Sequence, residues 1–133
     1  MTSEPNAMLV IDDDRSLFIA LNALFKKKLA VLHAPTGKAA LQLLKTREFD
    51  VCLVDYKLPD MDGLELLKII HETYPYLPTI FISGYFTHEV EIQALSIEYG
   101  TDYIHNKPLD PELLAEQVET CLTKGGKKHA LET

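Results

Sequence analysis

The run Val51-Cys52-Leu53-Val54-Asp55-Tyr56-Lys57-Leu58-Pro59-Asp60-Met61-Asp62-Gly63 decides the fold of this 133-residue chain. Four apolar residues without a polar interruption describe a strand buried on both faces, as strands are inside a parallel sheet. The strand stops at an acid, Asp55. Pro59 and Gly63 mark a loop from Lys57 to Gly63, and Leu64, Leu67, Ile70 and Tyr74 follow at helical spacing. Strand, acid, loop and helix form one βα unit.

The same unit recurs on either side. Towards the N-terminus, the apolar run Ala7 to Ile11 ends in Asp12-Asp13-Asp14. Leu17, Leu21, Leu24 and Phe25 then predict a helix over Arg15 to Lys28. A second strand is expected at Leu29 to Ala34, a turn at Pro35-Thr36-Gly37 and a short helix from Ala39 to Lys45. Towards the C-terminus, Pro75 and Pro78 end the third helix before a fourth strand, Thr79 to Ile82. Ser83-Gly84 breaks that strand, and a helix from about Thr87 to Tyr99 closes at Gly100. A weaker fifth strand falls at Asp102 to His105. The last helix starts with Asp110 as N-cap and Pro111 at its first position, turns Leu114, Val118, Cys121 and Leu122 inward, and is expected to end at Gly125-Gly126. Five such units predict an α/β domain over 7–124, a parallel sheet covered by helices, with a polar tail at 125–133. No second domain is expected on so short a chain.

Composition removes several classes of function. Apolar residues make up 47% and charged residues 25%, an ordinary globular balance. Thirteen Lys and Arg against twenty Asp and Glu give a formal charge of -7, which argues against direct nucleic-acid or anionic-membrane binding. No apolar stretch reaches the roughly 18 residues of a membrane span, and the first residues lack a signal-peptide pattern. Two cysteines, Cys52 and Cys121, supply neither a disulfide framework nor a zinc spacing. A cytoplasmic protein with buried thiols is the expectation.

The acids are placed where chemistry would need them. Ligands of open parallel sheets bind at the carboxyl ends of the strands, and here those ends carry Asp12-Asp13, Asp55, Ser83 and Lys107. Singly, each has a plainer reading as helix cap, turn residue or surface charge. Clustered carboxylates repel and need a compensating cation; oxygen donors and a few carboxylates suit Mg²⁺. Lys107 suits an incoming phosphoryl anion, and a carboxylate is the available nucleophile, with Asp55 at the end of the most buried strand.

At these residues the chain resembles the receiver domain of two-component response regulators. The resemblance is carried by Leu9 to Asp14, by Val51 to Gly63 with its D-x-x-[LM]-P-x-x-[DN]-G spacing, by Ile80-Phe81-Ile82-Ser83-Gly84, and by Lys107-Pro108. It covers about residues 7 to 123. It implies a doubly wound (βα)5 flavodoxin-like three-layer sandwich with strand order 2-1-3-4-5. It also implies phosphoryl transfer to Asp55 from a sensor histidine kinase or a His-containing phosphotransfer protein, with self-catalysed transfer and autodephosphorylation. Asp13 and Asp55 would hold Mg²⁺ directly, Asp12 mainly through water, and Lys57 through its backbone carbonyl. Ser83 and Lys107 would each meet a phosphoryl oxygen. The output would be a shape change on the fourth-helix, fifth-strand and fifth-helix surface, read by a downstream effector, with pairing of two phosphorylated copies as one form it takes.

Such receivers place an aromatic switch residue three positions before the lysine, whereas Tyr103 stands four before Lys107. A bulge near Asn106 would restore the frame and make Tyr103 the switch; a gapless match puts Ile104 there and His105 at an apolar strand position. The bulge is the expected arrangement. Tyr85 and Phe86 are expected to contact a partner, cover the site or pack beneath their loop, and Lys57 and Tyr85 to tune the phosphoryl lifetime. Gly37 and Gly63 read as turn residues, Glu89 as a dipole-matched acid opening the fourth helix, and the five histidines as structural. An alternative is a haloacid-dehalogenase-like phosphohydrolase with Asp12 as nucleophile, from the D-x-D-x-[ST] match Asp12-x-Asp14-x-Ser16. It leaves the Asp55 loop unexplained.

Overall fold

A computed structural model describes residues 6–84 and 89–132. Tyr85, Phe86, Thr87 and His88 lie outside the described residues, and so do the roles expected for them. The elements are β1 (Ala7–Ile11), α1 (Arg15–Phe25), β2 (Ala30–Ala34), α2 (Gly37–Thr46), β3 (Val51–Asp55), α3 (Gly63–Thr73), β4 (Thr79–Ser83), α4 (Glu89–Glu98), β5 (Tyr103–Asn106) and α5 (Pro111–Glu132). The strands pair in parallel in the order β2-β1-β3-β4-β5. The chain winds outward from β1 in both directions, so the strand order reverses between β1 and β3.

β1, β3 and β4 are wholly buried because helices cover both faces, which explains their unbroken apolar runs. Leu9, Ile11, Cys52, Val54 and Phe81 face Ala40 and Leu44 of α2, Leu67 and Ile70 of α3, and Ile92 of α4. Met8, Val10, Leu53, Ile80 and Ile82 face Leu21 and Phe25 of α1 and Leu114, Val118 and Cys121 of α5. Neither cysteine is in a disulfide, and both are buried, in these opposite layers. Burial pushes the Cys52 thiol up, holding it protonated.

The helix ends follow local chemistry. Asp14 caps α1, its carboxylate accepting from the Ser16 N–H at 2.9 Å. Thr36 caps α2, Asp62 caps α3 and Asp110 caps α5, where the N–H groups of Glu112 and Leu113 donate to Asp110 Oδ1. Gly100, at φ +95°, ends α4 in a conformation that disfavours a side chain.

Three expectations need correction. The last helix does not stop at Gly125-Gly126: α5 continues to Glu132. Two glycines cost an established helix only about 1 kcal/mol each, and no proline follows to stop it. Gly37 opens α2 rather than lying in a turn, and the Met61 side chain packs over it. β5 begins at Tyr103, since Asp102 is used instead to accept from the Thr79 N–H at 3.0 Å, at the start of β4.

Candidate functional site

At the carboxyl ends of β1 and β3 the chain turns away from the sheet, leaving its acids at one corner. Asp12, Asp13 and Asp55 each offer a carboxylate oxygen, and the three lie within 4.8 Å of one another. Asp12 and Asp55 are both only 3% exposed, while Asp13 is open to solvent. Lys107 closes the group from the end of β5: its Nζ lies 3.3 Å from Asp55 Oδ1 and 3.5 Å from Oδ2. The Lys107–Pro108 peptide bond beside it is cis.

Burial decides the electrostatics. Desolvation, offset in part by the Asp14 N–H and reinforced by Asp55, pushes Asp12 up to about 6. Desolvation also raises Asp55, against the pull of Lys107. One lysine does not compensate three carboxylates, and the donors are all oxygens close enough to share one small ion. The corner therefore fits a hard divalent cation on its own chemistry.

A pH dependence follows. Because the Asp12 value is raised on folding, the folded chain holds more protons than the unfolded one between 3.8 and about 6. Stability from this group is complete below that window and is lost as pH rises through it. Thermal melts in chelator are expected to show the midpoint falling across the window in wild type, with a visibly shallower fall in Asp12→Asn. Equal slopes would refute the assignment.

The loop leaving Asp55 is tied at both ends. Lys57 and Asp62 form an isolated antiparallel bridge, and the Gly63 N–H donates to the Tyr56 carbonyl at 2.7 Å. Asp60 reaches across to α2, where its two oxygens accept from the Gly37 and Lys38 N–H groups, both at 2.9 Å. Those bonds hold the Asp60 carboxyl below its ordinary 3.8. Asp60→Ala is expected to lower the thermal midpoint at neutral pH. Its difference from wild type should close as pH falls below 3.8, because a depressed carboxyl stabilises only while ionised.

Ser83 is fully buried at the end of β4, one residue beyond Ile82, the register partner of Asp55. Its hydroxyl donates to Asn106 Oδ1 at 3.2 Å, and the Gln93 Nε2 of α4 donates to that same oxygen at 3.0 Å.

The expected bulge is absent. β4 and β5 pair one to one, Ile80 with Tyr103, Phe81 with Ile104, Ile82 with His105 and Ser83 with Asn106. Tyr103 therefore shares the α1–α5 face with Ile80 and packs against that layer, away from Ser83. Ile104 occupies the Ser83 face, as the gapless match has it. His105 is accommodated at an apolar strand position because its Nε2 donates to Gln117 Oε1 of α5.

Three contributors escaped sequence reasoning. His33 donates from Nε2 to the Asp12 carbonyl at 2.7 Å while its ring stacks on Phe18 at 5.2 Å, so it steadies the acid turn from β2. Asp60 and Asn106 are the others. Their roles come from strand pairing and loop contact, which spacing along the chain does not encode.

Comparisons with known proteins agree with this geometry. The family model described as "Response regulator receiver domain" matches residues 8–119. The response regulator protein PilR of Pseudomonas aeruginosa is 36% identical over 86% of the chain, which spans 25% of that protein. The aerobic respiration control sensor protein ArcB of Escherichia coli is 30% identical over 86% of the chain and 15% of its own length. This chain thus spans about a quarter or less of these curated relatives. The crystal structure of a CheY-like response regulator receiver domain protein from Methanospirillum hungatei superposes with a TM-score of 0.82 at 30% identity, covering 94% of this chain and 99% of that one. Sequence blocks, strand order and acid corner converge: the chain belongs to the response regulator receiver domain family of two-component systems.

Proposed function

We propose that this domain accepts a phosphoryl group on Asp55 from a phosphohistidine of a sensor kinase or phosphotransfer protein. The observation that carries the reading is the buried Asp55 carboxylate, held between an acid pair and the Lys107 ammonium. Asp55 attacks phosphorus in line; the P–N bond breaks as the P–O bond forms, and the departing imidazole keeps the electron pair and takes a proton. Asp12, Asp13, Asp55 and the Lys57 carbonyl would hold Mg²⁺, which when bound supplies charge stabilisation to the equatorial phosphoryl oxygens. Lys107 is released from its ion pair to meet a second phosphoryl oxygen, and Ser83 meets a third. The added negative charge then biases the surface of α4, β5 and α5, where Val90, Ile97 and Leu113 are exposed to a downstream effector.

Phosphoramidate or acetyl phosphate with Mg²⁺, followed by intact mass and site mapping, tests the reading. One phosphoryl group on Asp55 is expected. Rapid donor turnover that persists in Asp55→Asn and dies in Asp12→Asn would instead support the phosphohydrolase.

A further inference from the structure

The hydroxyl of Ser83 carries one proton, and in this structure that proton goes to Asn106 Oδ1. The oxygen is shared, because Gln93 of α4 donates to it as well. Ser83 is fully buried and cannot move far, whereas Asn106 is exposed and Gln93 half-buried. The buried hydroxyl is therefore the fixed anchor of the set, and α4 is tied to β5 through an amide that Ser83 orients. The one-to-one register leaves Ile104 on this face and turns Tyr103 towards α5, so β5 presents no aromatic ring beside Ser83.

We propose that this chain reads the state of Asp55 through a polar relay, Ser83–Asn106–Gln93, in which Asn106 and Gln93 are positioning residues. The inference rests on Asp55 being the phosphoacceptor. A phosphoryl group offers strong anionic acceptor oxygens, and a hydroxyl bonds more strongly to an ionised acceptor than to a neutral amide. Once Ser83 donates to phosphate, Asn106 loses its buried anchor. The remaining Asn106–Gln93 bond then competes with water at the surface, and α4 is released from β5. No covalent step beyond the phosphoryl transfer is needed.

The test is hydrogen exchange of the α4 amides in the full chain with Mg²⁺, with and without phosphoramidate, alongside intact mass. In wild type, exchange across residues 89–98 is expected to rise by about 2- to 10-fold on phosphorylation, the factor set by one net hydrogen bond. Asn106→Ala should exchange faster from the start and show no further rise, while taking up the phosphoryl group as wild type does. Asn106→Asp offers Ser83 an ionised acceptor that competes with the phosphoryl oxygens, and should blunt the response. Tyr103→Ala should leave it intact. Loss of the response in Tyr103→Ala with survival in Asn106→Ala would overturn the relay, as would phosphorylated wild type with unchanged α4 exchange. A wild-type chain with no phosphoryl group in the mass spectrum would instead overturn the phosphoacceptor reading beneath it.

Discussion

Asp55→Asn is expected to take no phosphoryl group from a small-molecule donor and, in chelator at neutral pH, to melt at a higher temperature than wild type. Loss of phosphorylation follows from removing the anionic oxygen that attacks phosphorus; an amide of the same shape is not a nucleophile of comparable strength. The gain in stability follows from burial. Asp55 is 3% exposed, and desolvation, reinforced by the Asp13 charge, raises its carboxyl despite Lys107, so keeping it ionised costs the folded state stability. Asparagine removes that charge. Lys107 loses a partner, but its side chain is 43% exposed and is solvated without it. The check is a melting curve paired with intact mass. A lower midpoint would mean that the Lys107 pair outweighs the burial of the acids, and retained phosphorylation would place the acceptor elsewhere.

Gly63→Ala is expected to be the most damaging small substitution at the site. A Cβ there would lie 2.3 Å from the Asp55 carbonyl oxygen and 2.7 Å from the Tyr56 Cα, both backbone atoms. Rigid neighbours cannot yield as the Met61 side chain over Gly37 can. Either the end of β3 or the start of α3 must move, at a cost of about 1–3 kcal/mol or more. That movement also shifts Asp55 and Lys57 relative to Asp12 and Asp13. The variant should therefore lose thermal stability and phosphorylate more slowly even where it remains folded. Gly37→Ala, measured in parallel, should show the smaller loss. Equal losses at the two positions would refute the distinction between backbone and side-chain clashes.

How far the chain could be read from its residues differs from element to element. Val51 to Asp55 announced a buried strand because every residue before the acid is apolar, and only a parallel interior asks for that. Asp110 and Pro111 announced the start of α5 because capping is local chemistry. Gly125-Gly126 misled, because a glycine pair weakens a helix without being able to forbid it. Tyr103 misled for a different reason: one residue of register moves every side chain of a strand to the other face, and register is set by the partner strand. Pairing of Ile80 with Tyr103, rather than any motif, turned the tyrosine towards α5 and left Ile104 beside Ser83.

The order of strands and helices, the acids at the ends of β1 and β3, and the lysine after β5 are legible in the residues themselves. These are consequences of local pattern and of where each buried run stops. Tertiary structure alone decided that three carboxylate oxygens fall within 4.8 Å, that Asp60 braces α2, and that one amide oxygen joins Ser83 to α4. Each of these depends on side chains from separate elements meeting, and such meetings are set by sheet register and helix packing. The chain states which groups are available; the packing of the sheet states which of them share a proton or an ion.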